Sequence, residues 1–161
     1  MAKCFVTLLF GVLVLLGVAA PLASAADPVI GNWTLIPKLS KYDPGPAPKG
    51  QTREYSVTPE GTRVTVTTTR NDGTITIFQY DSNSDGKDYP VTGESEADAV
   101  ALTKVSDFVS QATLKHGTRV IAFVLREISD DGKTMTLTYT GYTQARGYEQ
   151  RVSNRAVYAK Q

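Results

Sequence analysis

Beyond residue 50, polar and apolar positions alternate along most of the chain. In residues 63–69, Val64 and Val66 fall on one face and Arg63, Thr65 and Thr67 on the other. In residues 133–140, Met135, Leu137 and Tyr139 oppose Thr134, Thr136, Thr138 and Thr140. A period of two puts successive side chains on opposite faces of an extended strand, so each run predicts a strand with one buried face. Thr, β-branched and polar, suits the wet face.

The runs are broken at Pro59-Glu60-Gly61, Asn71-Asp72-Gly73, His116-Gly117 and Asp131-Gly132. Each break offers a residue that tolerates positive φ, as hairpin turns require. Such short links make neighbouring strands antiparallel. The pattern predicts strands at 32–36, 51–58, 62–70, 74–81, 87–91, 98–104, 107–115, 118–129, 133–143 and 147–159, with no helical period of useful length. The fold class is therefore all-β: an antiparallel up-and-down meander of about eight to ten strands that hides its edges by closing into a barrel. A two-sheet β-sandwich is the alternative.

Two stretches depart from the alternation. Residues 43–50, DPGPAPKG, hold three prolines and cannot pair in a central strand. They read as an extended crossover, a lid or a plain linker after the first strand. Residues 118–128, TRVIAFVLREI, are apolar on both faces. Val120, Ala122, Val124 and Ile128 share one face with Arg126, and Ile121, Phe123 and Leu125 share the other. Such a strand calls for a cover on its outer face: the Pro-rich segment, another sheet, or a second subunit in an oligomer.

The start of the chain belongs to a different class. Lys3, the apolar run from Phe5 to Ala20, and small residues at Ala23 and Ala25 match the three regions of a secretory signal peptide. The run is short for a membrane-spanning helix. Cys4 precedes the run, where a lipoprotein Cys would follow it. The expectation is a leader over 1–25, a single domain over 26–161, a secreted or periplasmic location, and no membrane anchor in the mature form. With Lys3 in the leader, the 17 Lys and Arg of the whole chain against 16 Asp and Glu leave the mature domain neutral. A neutral chain without clustered Lys and Arg argues against a nucleic-acid partner. The single Cys also lies in the leader, so no disulfide supports the domain despite export.

Gly31-Asn32-Trp33 at the first strand resembles the Gly-x-Trp of the lipocalin and related barrel families. That resemblance implies that Trp33 plugs the closed end of the barrel with an Arg from the last strand packed over it. Arg155 is the best-placed candidate, with Arg151 two steps away on the same face. The phrases GNWTLIPKLSKYDPGPAPKGQTREY, DGKDYPVTG and DGKTMTLTYTG are similar to those of a family of uncharacterised secreted bacterial proteins with a lipocalin-like, or calycin-like, barrel look. The likeness runs over nearly the whole mature chain and implies fold and export, but no activity. The chain departs from true lipocalins in lacking a disulfide and a helical pattern before its last segment.

Catalytic chemistry finds few residues to work with. The mature domain has no Cys, and its one His, His116, falls at a hairpin tip; a Ser–His pair needs an oriented, partly buried imidazole. The same scarcity argues against zinc or haem as a cofactor. Asp81, Asn83, Asp85 and Gly86 match the first half of a calcium-binding EF-hand loop, but Thr92 stands where the bidentate Glu belongs; a polar hairpin of good turn formers is the plainer reading. Thr-x-Thr arrays at 65–69, 74–76 and 134–140 suit an ordinary wet strand face more than a flat ice-binding one.

The expected function is non-catalytic. One reading is a barrel that holds a small apolar, amphipathic or anionic ligand, lined by Tyr55, Ile77, Phe108, Arg126 and Tyr139, with Arg126 anchoring an acidic head group. The other is a structural or interaction protein of the envelope or extracellular space, acting through its surface around a filled interior. Periodicity does not rank the two apolar faces of 118–128, so the direction of Arg126 stays open at this level.

Overall fold

The computed structural model describes residues 27–145 and 148–161; the expected leader and its cleavage site lie outside them. Among the described residues the regular structure is strand, apart from one short 3-10 turn at Pro37–Leu39. The strands are β1 (Gly31–Leu35), β2 (Lys41–Asp43), β3 (Gly50–Thr58), β4 (Gly61–Thr69), β5 (Ile75–Ser82), β6 (Asp85–Pro90), β7 (Thr92–Gly93), β8 (Ala99–Lys104), β9 (Val109–His116), β10 (Arg119–Ile128), β11 (Thr134–Ala145) and β12 (Tyr148–Lys160).

They form one antiparallel sheet in the order β6-β8-β9-β10-β11-β12-β1-β3-β4-β5-β7, a nearly closed barrel rather than a sandwich. β8 to β12 are a plain meander, as are β3 to β5. The two halves join where the first strand meets the last: Trp33 pairs with Lys160, Thr34 with Ala159 and Leu35 with Tyr158. The break in the ring falls between β5 and β6, which part after the link at Asn83 and Ser84.

Residues 91–98 strap the upper end of that break. β7 pairs with Phe78 and Gln79 of β5, and the Glu94 amide donates to the Ile77 carbonyl. On the other side, the Asp98 amide donates to the Lys115 carbonyl of β9, and within the strap the Val91 amide donates to the Asp98 carbonyl.

Every long strand expected from alternation is present, and two short ones, β2 and β7, were not expected. β2 leads into the Pro-rich region. Where β1 ends on β12, the chain turns through Pro37–Leu39 and β2 takes up the ladder, with Lys41 opposite Arg155 and Asp43 opposite Ser153. The Ile36 amide donates to the Val157 carbonyl, and Ser40 Oγ accepts from the Val157 amide, so this turn continues along the edge of β12 between β1 and β2. The Pro-rich stretch that comes next meets the turn between β4 and β5, where Asn71 Nδ2 donates to the Ala47 carbonyl. The outer face of β10 carries Phe123 at 60% exposure, with no described element laid over it.

The core fills one end of the barrel. Val29, Trp33, Leu35, Val64, Ile128 and Met135 form a buried cluster, and Trp33 is wholly inaccessible. At the other end the inward side chains leave a void.

Candidate functional site

The void is a cavity of about 370 Å³ bounded by most strands of the barrel and by the strap at 91–98. Its walls differ in chemistry. β8, β9 and β10 supply Val100, Leu102, Ala112, Leu114, Ile121 and Val124. β3, β4 and β12 supply Gln51, Arg53, Tyr55, Thr68 and Tyr158.

Strand parity explains the polar wall. Gln51, Arg53 and Tyr55 alternate along β3 and all point inward. Arg53 Nε donates to the Tyr158 hydroxyl at 3.3 Å, and its guanidinium lies 5.6 Å from the Tyr158 ring centroid. The Tyr158 hydroxyl donates to Gln51 Oε1, and Gln51 Nε2 donates to Thr68 Oγ1 at 2.7 Å. The guanidinium is thereby held at the head of a chain of neutral groups.

Arg126 enters from the opposite wall. In register it lies across from Ser110 on β9 and Leu137 on β11, both of which line the cavity. A bulge between Val120 and Ala122 resets the alternation of β10, after which Ala122, Val124, Arg126 and Ile128 face inward. The Arg126 guanidinium lies 5.4 Å from the Tyr55 ring centroid, a cation–π distance. Its Nε is buried without a hydrogen-bond partner. Among the described residues, neither Arg53 nor Arg126 is in an ion pair with a carboxylate. Glu94 and Glu96, the carboxylates on the wall, are exposed on the strap.

The phenols around the arginines stay protonated. Burial pushes Tyr80 up to about 12; neighbouring Tyr55 adds to this, while Arg53 and Arg126 act against it. Burial, then the Glu96 charge, pushes Tyr139 up to about 12. Burial and then Tyr158 raise Tyr42 as well, against the pull of Arg53. A folded-state pKa above the unfolded value of about 10 gives stability that is full below pH 10 and is lost as pH rises through the folded pKa. The barrel is therefore expected to lose stability between about pH 10 and 12. Urea midpoints measured at steps from pH 8 to 12 check this; a flat profile across pH 10–12 would show that these phenols titrate as if exposed.

Tyr55, Arg126 and Tyr139 line the cavity as expected. Ile77 does not: it is 50% exposed on the outer face of β5. The pairing of Val64 with Tyr80 and of Val66 with Phe78 turns the aromatic residues of β5 inward and Ile75 and Ile77 outward. Phe108, 37% exposed, sits in the turn between β8 and β9 and is not on the cavity wall.

The plug motif also holds a correction. Trp33 Nε1 donates to the Val29 carbonyl at 2.8 Å, and the cation over its ring is Lys160 Nζ, 5.3 Å from the centroid. Arg155 is exposed. Asn154, Ala156, Tyr158 and Lys160 hold the inward parity of β12, which turns Arg155 and Arg151 outward. Gly31 makes room for the substitute: at φ +127°, a Cβ there would lie 3.1 Å from Lys160 Cε. Lys160 Nζ also donates to the Pro28 carbonyl at 2.8 Å.

The calcium candidates are spoken for. Both oxygens of Asp81 accept from Arg63 at 2.8 Å. Asp85 accepts from the Lys87 amide and the Tyr89 hydroxyl and pairs with Lys87 Nζ. Asn83 lies in the link between β5 and β6. Among the described residues, no group of three or more His, Cys, Asp or Glu is placed to share a metal ion. His116 is exposed, with Nδ1 3.1 Å from the Glu96 carbonyl oxygen.

Arg53 is the residue that sequence reasoning passed over. Its signal was present: it shares parity with Tyr55 two positions on. Comparison with protein families, curated proteins and solved structures finds no match to this chain.

Proposed function

We propose that this protein is a non-catalytic barrel that binds a small anionic amphipathic molecule in its interior. The observation that carries the reading is the pair of inward guanidiniums, Arg53 and Arg126, in a cavity of about 370 Å³ without carboxylate partners. A buried charge is costly unless paired, and guanidinium recognises carboxylate and phosphate through two parallel hydrogen bonds. The apolar wall of β8 to β10 suits a hydrocarbon tail, and the volume falls in the range of small-molecule sites. The Gly-x-Trp plug and the leader pattern support a lipocalin-like, exported carrier, since a plugged end leaves the other end of the barrel for a ligand.

Calorimetric titration with octanoate at neutral pH tests this. Binding is expected in the wild type, with octylamine, the cation of equal length, failing to bind. Arg126→Met is expected to weaken octanoate at least tenfold, the equivalent of a lost charged hydrogen bond of about 1.5–3 kcal/mol. The same substitution is expected to leave the urea midpoint unchanged or raised, because it removes an uncompensated charge. A guanidinium kept for structure would give the opposite pair of results: unchanged ligand binding and a lowered midpoint.

A further inference from the structure

Resting on the anion-binding reading, we infer that the interior site selects a head group with two negative charges: a phosphate monoester on a short apolar tail. Charge balance is the first argument. Arg53 and Arg126 bring two fixed positive charges to the wall of one cavity, and Arg126 reaches across it to Tyr55, two positions from Arg53 on β3. A monocarboxylate leaves one of them uncompensated in low dielectric; a dianion answers both.

Donor geometry is the second. Arg126 Nε is buried without a partner, and the Arg53 guanidinium is anchored through Nε to Tyr158. Each guanidinium presents a fork of donors, and a phosphate monoester offers three terminal acceptor oxygens. A carboxylate has two oxygens, enough for one fork. Among the lining side chains, the acceptors with fixed negative charge are Glu94 and Glu96, and both belong to the exposed strap.

Size and tail are the third. At a liquid share of about 30 Å³ per water, the cavity holds on the order of a dozen non-hydrogen atoms. Octyl phosphate has that size. Its tail would lie on Leu114, Ile121 and Val124, and its head between the β3 and β10 walls.

The test compares octyl phosphate, octyl sulfate and inorganic phosphate on the wild-type protein at pH 5 and pH 8. The second ionisation of a phosphate monoester falls near pH 6, whereas the sulfate is a monoanion at both pH values. Octyl phosphate is expected to bind about tenfold more tightly at pH 8 than at pH 5, with octyl sulfate unchanged. At pH 8, octyl phosphate should exceed both octyl sulfate and inorganic phosphate by at least tenfold, and Arg53→Met and Arg126→Met should each abolish the pH dependence. Equal affinity for octyl phosphate and octyl sulfate at pH 8, or no pH dependence, overturns the dianion inference while leaving the anion-binding reading intact. Inorganic phosphate binding as tightly as octyl phosphate overturns the amphipathic ligand. Octanoate, octyl sulfate and octyl phosphate all failing to bind overturns the underlying reading itself.

Discussion

Trp33→Ala is expected to lower the stability of the barrel by about 3–5 kcal/mol, the range for truncating a buried large aromatic. The indole is wholly inaccessible and packs in the cluster with Leu35, Val64 and Met135. Truncation empties that space. It also leaves the Val29 carbonyl without its indole donor and Lys160 Nζ without the ring beneath it. β1 is only five residues long, and Trp33 and Leu35 are its buried side chains. Urea denaturation followed by circular dichroism measures the loss. The chain has one Trp, so the wild-type emission reports this site alone and is expected to be blue-shifted. Red-shifted, readily quenched emission would place the ring in water and defeat the prediction.

Gly141→Ala is the second large effect, and its cause is the reverse. Gly141 lies opposite Ala122 in the β10–β11 ladder, beside the bulge in β10. A Cβ at this position would lie 2.3 Å from the Ile121 carbonyl oxygen and 2.5 Å from Ala122 Cβ. Neither atom can rotate away, so the two strands must separate. Overpacking of this kind costs about 1–3 kcal/mol and occasionally more, and Gly141→Val should exceed Gly141→Ala. Gly50→Ala is the control: its Cβ would meet nothing within 4 Å, and its effect is expected to stay within about 0.5 kcal/mol. Urea midpoints decide the matter; equal midpoints for Gly141→Ala and Gly50→Ala would refute the clash.

The contrast between β11 and β5 shows how far the sequence could be read. In β11, Met135, Leu137 and Tyr139 alternate with Thr, so one face is unambiguous and all three side chains turn inward. In β5, Ile75 and Ile77 compete with Phe78 and Tyr80, and alternation alone does not rank the faces. The register with Val64 and Val66 decides it, and that register is a tertiary fact. Arg126 was undetermined for the same reason until the bulge at Val120 to Ala122 set the phase of β10. Arg155 failed on parity within β12, although Ala156 and Tyr158 beside it marked the inward positions. Arg53 was missed because an apolar-alternation search passes over a charged residue at an inward position, which is where a binding site departs from the folding pattern. β2 and β7 are too short to carry any periodicity.

The joint between β1 and β12 bears on how the molecule assembles. Hairpins such as β10–β11 bring together residues close in the chain, and their loop-closure entropy is small. Opposing Trp33 to Lys160 closes a loop spanning almost the whole domain, and contacts of such sequence separation slow folding. During synthesis, the meander from β8 onward can form hairpin by hairpin. The indole, made among the first residues of the domain, has no floor to rest on until the last strand emerges. The ring is therefore committed at its C-terminal end, and a chain stopped short of residues 158–160 keeps its hairpins but cannot close.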